Sequence, residues 1–146
     1  MGVALTSCTV PAAGKPTFSL GEDEMEMGVG IHGEPGRRRV KLQSANGIGK
    51  EMVDAIVSNL GTAARGDALL LANGFGGTPL IELYLMYHVA HELLAQRGVR
   101  IVRSLVGNYV TSLEMAGCSL TVSMLDSETV RLWDAPVHTA ALRWGR

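Results

Sequence analysis

The chain has 146 residues, of which 47% are hydrophobic and 18% are charged, and its formal net charge is −1 at pH 7. This length and apolar content predict a single domain over residues 1–146 that is large enough to bury a substantial core. The near-neutral charge argues against nucleic acid or an anionic membrane as a partner, because both require a surplus of Lys and Arg.

The N-terminal residues lack the positive region and the apolar run of a signal peptide, and no run of about 18 apolar residues occurs. Cys8 and Cys118 lie far apart and lack the spacing of a zinc or redox site. We therefore expect reduced thiols in a cytoplasmic protein. Residues 3–10 alternate roughly before Pro11, which indicates an edge strand or a linker.

A glycine-rich stretch, MEMGVGIHGEPG, spans residues 25–36 and contains one histidine, His32. A short apolar strand runs into this histidine, and the surrounding glycines allow unusual dihedral angles and close approach by a ligand. An acidic run at 21–26 precedes the stretch, and a basic run at 37–41 follows it. The arginines at 37–39 can hold a phosphate, but a solvated loop that pairs with the acidic run is the favoured interpretation.

Residues 44–60 have helical periodicity, with Ser44 or Asn46 as the N-cap and Gly61 as the end. The apolar run at 68–72 predicts a central strand that is covered on both faces. The turn that follows, NGFGGTP at 73–79, opens a helix and can bind an anion through its backbone amides. It lacks the lysine of a P-loop, so a tight strand-to-helix connection is favoured.

A long helix is predicted over residues 79–96, with Thr78 as its N-cap and Gly98 as its stop. Apolar residues surround most of this helix, so we expect one side to lie on the sheet and the other to dock a second subunit or another domain. His88 and His91 lie three residues apart on it, but no carboxylate in register supports a metal site.

Two further strands are predicted, over residues 99–106 and 118–125, and the short segment between them favours antiparallel neighbours. Asp126 or Ser127 caps a short helix through Trp133, and the tail is extended. The order of elements predicts an α/β (α+β) fold: a two-layer sandwich whose mixed sheet has about four to five strands, with helices packed on it.

His32 is the strongest candidate for chemistry, although composition alone favours an ordinary loop or core histidine. A neutral imidazole nitrogen is a nucleophile near pH 7 and can add to a ketone or aldehyde to give a covalent hemiaminal. Glu34 can orient the ring if the strand persists. No partner can be assigned to His138, and spacing assembles no Ser-His-Asp or Cys-His arrangement.

Four segments, MGVGIHGEPG, NGFGGTPLIELY, RSLVGNYVTSLEMAG and LWDAPVHTAALRWG, resemble the second half of the dihydroxyacetone-binding subunit of dihydroxyacetone (glycerone) kinases. The resemblance runs in order along nearly the whole chain. It implies that His32 forms a covalent hemiaminal with the substrate carbonyl. Glu114 stands where the family more often has aspartate.

The resemblance also implies what lies outside this chain. The family's first domain, which supplies a substrate loop and the acid/base residues, is not matched, so the isolated chain should be incomplete and inactive. ATP or ADP with Mg is expected on a separate nucleotide-binding domain or subunit, and this chain is expected to bind no cofactor and no metal itself. The expected partners are dihydroxyacetone, that nucleotide-binding part and a second copy in a homodimer.

An alternative of a different class remains open at this point. A truncated, non-catalytic module can dimerise through the helix at 79–96 and sense a ketone or regulate a partner. The identity of a neighbouring gene product would discriminate the two: a nucleotide-binding subunit favours the kinase component, and an unrelated protein favours the module.

Overall fold

The computed structural model describes residues 1–31 and 36–145. The elements follow in chain order: β1 (Gly2–Ala4), β2 (Glu24–Met27), β3 (Arg38–Lys41), α1 (Ala45–Leu60), β4 (Gly66–Gly74), α2 (Leu80–Ala95), β5 (Val99–Gly107), β6 (Gly117–Met124), α3 (Ser127–Trp133), β7 (Val137–His138) and β8 (Arg143–Trp144). Among these residues, no helix combines the length and the apolar character that crossing a membrane requires.

The main sheet has six strands in the order β3-β2-β1-β6-β4-β5. β4 and β5 are parallel, and the other neighbouring strands are antiparallel. The predicted α/β class with a mixed sheet is therefore confirmed, although four to five strands were expected. The difference arises at the N-terminal end, where β1 and β3 are strands of only three and four residues.

Three strand placements differ from the sequence prediction. β1 is no edge strand or linker, because it lies between β2 and β6. β5 and β6 are not neighbours, because β4 pairs with both of them and holds the central position predicted for its apolar run. The basic run is no loop: residues 38–41 form the edge strand β3, which faces the acidic run across the β2–β3 hairpin as expected.

Helix α1 begins and ends where its sequence predicts. The Ser44 hydroxyl oxygen accepts a hydrogen bond from the Gly47 amide at 3.3 Å. Gly61 ends the helix with a φ of 57°, a conformation that glycine adopts without a Cβ penalty. The helical spacing of Ile48 and Met52 places both side chains in the core.

Helix α2 starts at Leu80, but Thr78 does not cap it. The Thr78 hydroxyl instead donates to the Gly117 carbonyl at 2.8 Å and accepts from the Gly117 amide at 2.7 Å. It therefore joins the start of α2 to the start of β6. Buried residues line the inner side of the helix, whereas its outer side exposes large apolar side chains, with Ile81 at 77% exposure. The exposed set is Leu80, Ile81, Tyr84 and Leu85.

Two apolar clusters lie on opposite sides of β1. The main core contains Val3 together with α1, α2 and the helix-facing residues of the sheet. The next residue, Ala4, points the other way and belongs to a smaller group, which we call the loop cluster. The loop cluster consists of Ala4, Cys8, Val29, Phe75 and Met115, with Phe18 and Ile31 packed against it.

The C-terminal segment begins with a capped helix and ends in a hairpin. The Asp126 carboxylate accepts from the Thr129 amide at 2.8 Å, and this hydrogen bond holds the pKa of Asp126 below its usual value. Strands β7 and β8 pair, and the Trp144 ring lies 5.1 Å from the Trp133 ring. Arg103 of β5 donates to the Asp134 carboxylate at 2.6 Å, which ties the segment to the sheet.

Candidate functional site

The candidate anchor His32 lies outside the described residues, as do Glu34 and Pro35. Whether Glu34 orients the His32 ring therefore stays a prediction. The structure describes the chain on either side, residues 28–31 before the gap and residues 36–37 after it. We call these two stretches the arms of the His32 loop, and their placement defines the base of the candidate site.

Backbone hydrogen bonds hold both arms at the end of β2. The Gly28 amide donates to the Gly2 carbonyl, and the Arg37 amide donates to the Met27 carbonyl, each at 2.7 Å. Strand β2 ends at Met27, so the apolar strand expected to run into His32 stops before it. The loop therefore leaves the sheet from a fixed base.

Glycine is required at two positions of this base. Gly28 has a φ of 80°, and a Cβ there would lie 2.8 Å from Arg37 Cγ. A Cβ on Gly36 would overlap the Met27 carbonyl oxygen. The arms therefore lie side by side at a separation that a side chain would prevent, which explains part of the glycine pattern read in the sequence.

The loop cluster holds the first arm against the sheet. Val29 is 5% exposed, and Ile31, the residue before His32, packs against the same cluster. The arm passes so close to β1 that a Cβ on Gly2 would overlap the Val29 carbonyl oxygen. The chain therefore folds back over the side of β1 that faces away from the helices.

An open cavity of about 230 Å³ lies beside the arms. This volume is below the roughly 300 Å³ at which drug-sized pockets begin, and it suits a small metabolite. Arg37 and Ser119 are the charged and the hydroxyl-bearing residues of the lining. The lining consists of Met1, Gly2, Gly28, Val29, Gly30, Ile31, Arg37, Phe75 and Ser119.

A buried acid lies in β2, immediately before Met27. Glu26 is 6% exposed, and its carboxylate lies 3.4 Å from the Arg39 guanidinium across the hairpin. An unpaired buried carboxylate would be strongly unfavourable, and the arginine offsets that desolvation. The ion pair thus joins β2 to the edge strand β3 at the strand ends that carry the arms.

Three amides of the glycine-rich turn at 73–79, those of Phe75, Gly76 and Gly77, donate to internal acceptors. Gly76 donates to the Asn108 side chain at 3.3 Å, and Gly77 donates to the Met115 carbonyl at 3.0 Å. A Cβ on Gly77 would lie 2.6 Å from the Glu114 carbonyl oxygen. This geometry favours the tight connection over the anion site, because amides with internal acceptors are not presented to a phosphate.

Asn73 is a structural residue that the sequence reading did not single out. It is 2% exposed at the end of β4. Its side-chain oxygen accepts from the amides of Tyr109 at 2.9 Å and Val110 at 2.8 Å, and its nitrogen donates to the Val110 carbonyl at 2.7 Å. An asparagine directly after an apolar strand was the available signal. It fixes the loop between β5 and β6.

Glu114, which lies in that same loop, has a hydrogen-bond partner outside it. Its carboxylate accepts a hydrogen bond from the Thr9 amide at 2.6 Å. The longer glutamate side chain thus connects the loop before β6 with the segment after β1.

The remaining histidines lie away from the arms. His88 and His91 are on the outer part of α2, where His91 Nδ1 lies 3.4 Å from Glu92 Oε1. His138 is in the β7–β8 hairpin. Within residues 1–31 and 36–145, no group of three or more His, Cys, Asp or Glu side chains is arranged to hold a metal ion.

Comparison with known proteins gives consistent matches over the whole chain. The sequence profile of the Dak1 domain matches residues 1–141. The dihydroxyacetone-binding subunit DhaK of the PEP-dependent dihydroxyacetone kinase of Escherichia coli (strain K12) is 44% identical, with 100% of this chain and 48% of that protein aligned. The D-erythrulose kinase of Mycolicibacterium smegmatis is 42% identical over 99% of this chain and 25% of its own length.

A solved structure has the same fold. The dihydroxyacetone kinase operon co-activator Dha-DhaQ superimposes with a TM-score of 0.84 and 36% sequence identity, over 92% of this chain and 42% of that one. The chain thus spans about half the length, or less, of the curated relatives it matches.

Proposed function

This chain belongs to the Dak1 domain family, and we propose that it is the dihydroxyacetone-binding component of a kinase that phosphorylates short ketoses. Residues 1–146 would correspond to the second domain of the family's substrate-binding subunit. The observation that carries the proposal is the GIHGEPG motif, which in a chain of this family leaves the sheet on two fixed arms beside a cavity of about 230 Å³.

We propose that His32 is the covalent anchor of the substrate. A ring nitrogen adds to the carbonyl carbon, the C=O π bond opens, and the oxygen takes up a proton as the ring N–H is lost. No group leaves, so the hemiaminal contains the whole mass of histidine and ketone. The reaction selects a ketone or aldehyde over glycerol, which has no carbonyl group to trap.

The phosphoryl donor is proposed to bind elsewhere. The amides of Phe75, Gly76 and Gly77 in the glycine-rich turn already have internal acceptors, which disfavours a nucleotide phosphate at that turn. We expect ATP or ADP with Mg on a nucleotide-binding domain or subunit, and acid/base groups from the family's first domain. The two buried thiols suit a reducing compartment, which supports a cytoplasmic location.

We also propose a homodimer. Exposed apolar side chains cover the outer side of the first half of α2, and apolar patches of this kind occur at protein interfaces. A second copy would bury them, in an isologous contact about a two-fold axis.

The covalent anchor is tested by native mass spectrometry of the chain with dihydroxyacetone, alone and assembled with its nucleotide-binding partner. We expect a mass increase of one whole dihydroxyacetone, without loss of water, in the wild type. Labelling the ketone carbon with ¹³C should show its NMR signal move from the carbonyl to the tetrahedral region. The same experiment with glycerol should give no adduct.

Two variants make this experiment specific. His32→Ala should abolish the adduct, whereas His88→Ala, on the exposed part of α2, should leave it unchanged. An adduct that survives in His32→Ala, or a wild type that forms none in either state, would refute the anchor. Phosphorylation of dihydroxyacetone by the isolated chain would contradict the need for further parts.

The non-catalytic module is the less favoured function. One structural match is an operon co-activator, but the curated relatives reported above are named as a kinase subunit and as a kinase. Kinase activity that appears when the family's first domain and a nucleotide-binding partner are both added would favour the kinase component over the module.

A further inference from the structure

An apolar groove lies between the first turn of α1 and the first two turns of α2. Its volume is about 260 Å³. Its buried lining residues include Val3, Ile48 and Met86, which belong to the main core. Its exposed lining residues include Leu42, at 50% exposure, and Leu85, at 49% exposure. The groove therefore leads from the main core to the surface beside two exposed leucines.

The polar groups around this groove favour an apolar occupant. The Thr78 hydroxyl both donates to and accepts from the backbone of Gly117, and the Gln43 side-chain nitrogen donates to the Glu51 carboxylate at 3.4 Å. Glu82 is exposed, so its carboxylate keeps its contact with water. An apolar side chain in the groove would lose its hydration without leaving these polar groups unpaired.

A strongly exposed isoleucine stands next to the groove. Ile81 is 77% exposed and lies in α2 one turn before Leu85. Residues four apart on a helix are neighbours on one face, so Ile81 lies beside the rim that Leu85 forms. Because most of its surface is exposed to water, Ile81 does not fill the groove of its own chain.

We propose that the groove receives Ile81 of a second copy of this chain. The inference rests on the homodimer proposed above and names the contact that anchors it. In an isologous interface the same patch lies on both copies, so a projecting side chain and its recess must belong to one patch. Ile81 and Leu85 meet this condition. An antiparallel pair of α2 helices that cross between these two residues brings each Ile81 against the Leu85 rim of the other copy.

The two-fold symmetry makes this contact occur twice. Each copy inserts one Ile81 and receives another, and the exposed side chains of Leu80 and Tyr84 on the outer side of the same helix are covered as well. Side chains that fill a desolvated pocket at the centre of an interface carry most of its binding energy. Ile81 and the groove are therefore expected to dominate the affinity of the dimer.

Filling the groove tests the proposal without altering Ile81. Ala45 is half-buried, is the first residue of α1 and lines the groove, so Ala45→Trp places a large ring in the recess. Sedimentation equilibrium of the full chain should show the dimer dissociation constant rise on the order of tenfold. Ala55→Trp, at an exposed position on the same helix, is the matched control and should leave the constant unchanged.

Two further variants make the result specific to this contact. Leu42→Ala removes part of the groove wall and should also weaken the dimer, so it decides the outcome if Ala45→Trp does not fold. Ile81→Ala should raise the dissociation constant by a factor similar to that of Ala45→Trp. In the double variant these two factors should not multiply, because both substitutions remove the same contact.

The outcomes separate the groove contact from the homodimer itself. A wild-type chain that is monomeric at every concentration would refute the homodimer, and the anchor with it. A dimer whose dissociation constant is unchanged in folded Ala45→Trp or in Leu42→Ala would overturn the groove contact alone. Factors that multiply in the double variant would overturn it too, because they would show that Ala45 and Ile81 act at separate places.

Discussion

At the scale of single residues, Cys118 shows how burial sets chemistry. Cys118 lies on β6 and is 4% exposed in the main core. Burial raises the pKa of its thiol from an ordinary 9.0 to about 12. A thiolate is the reactive form of cysteine, so this residue is inert at neutral pH. It is therefore a core residue and no second nucleophile.

The raised pKa predicts a specific pH dependence of stability. Between pH 9 and pH 12, the unfolded chain loses the Cys118 proton while the folded chain keeps it, so the free energy of unfolding falls as pH rises. Cys118→Ala should remove this contribution. Urea unfolding of both proteins from pH 8 to pH 11 should therefore show midpoints that converge with rising pH. A difference between the two midpoints that stays constant with pH would contradict a buried neutral thiol.

At the scale of elements, the start of α1 depends on one short side chain. Ser44→Ala removes the acceptor for the Gly47 amide, and N-cap losses of this kind cost about 1 kcal/mol. Two glycines in the first turn, Gly47 and Gly49, raise the dependence on the cap because glycine weakens a helix. Ser44→Asp, which can accept the same hydrogen bond, should retain the wild-type free energy of unfolding in urea. Equal stability of all three proteins would show that the cap contributes nothing.

Local signals predicted the elements well, and long-range pairing accounts for what they missed. Ser44 and Gly61 bound α1 correctly, and the family resemblance read from the motifs is confirmed. The neighbours of β1 and β5 could not be predicted, because their partners lie far away in sequence. Thr78 has the sequence of an N-cap, yet Gly117 competes successfully for its hydroxyl.

Local signals predicted part of the candidate site as well, and long-range packing determines the rest. The spacing of glycines around His32 pointed to the loop, and the two arms explain why glycine stands at positions 28 and 36. Phe75 offered only an aromatic residue within a glycine-rich turn, and nothing local connects it with Val29. The two residues belong to one cluster because the first arm passes close over β1 in the folded chain.

At the scale of the whole molecule, the outer side of α2 determines the proposed assembly. Ile81→Glu places a charge where the proposed dimer buries an apolar side chain, so we expect the dimer to dissociate and its mass by light scattering to halve. Leu132→Glu is a matched control, because Leu132 is also exposed, at 55%, but lies on α3. A wild type that is monomeric at every concentration, or a dimer that persists in Ile81→Glu, would contradict an interface on α2.

The position of β1 inside the sheet also determines when that sheet can close during synthesis. Val3 pairs with Met27 on one side and with Cys118 on the other. Strand β2 can pair with β1 early in synthesis. Strand β6 can pair with β1 only after β6 has left the ribosome. Contacts this distant in sequence slow folding, because the entropy of a long loop is lost before they form. Until then β1 presents an open edge to other chains, so aggregation during synthesis should begin at this strand.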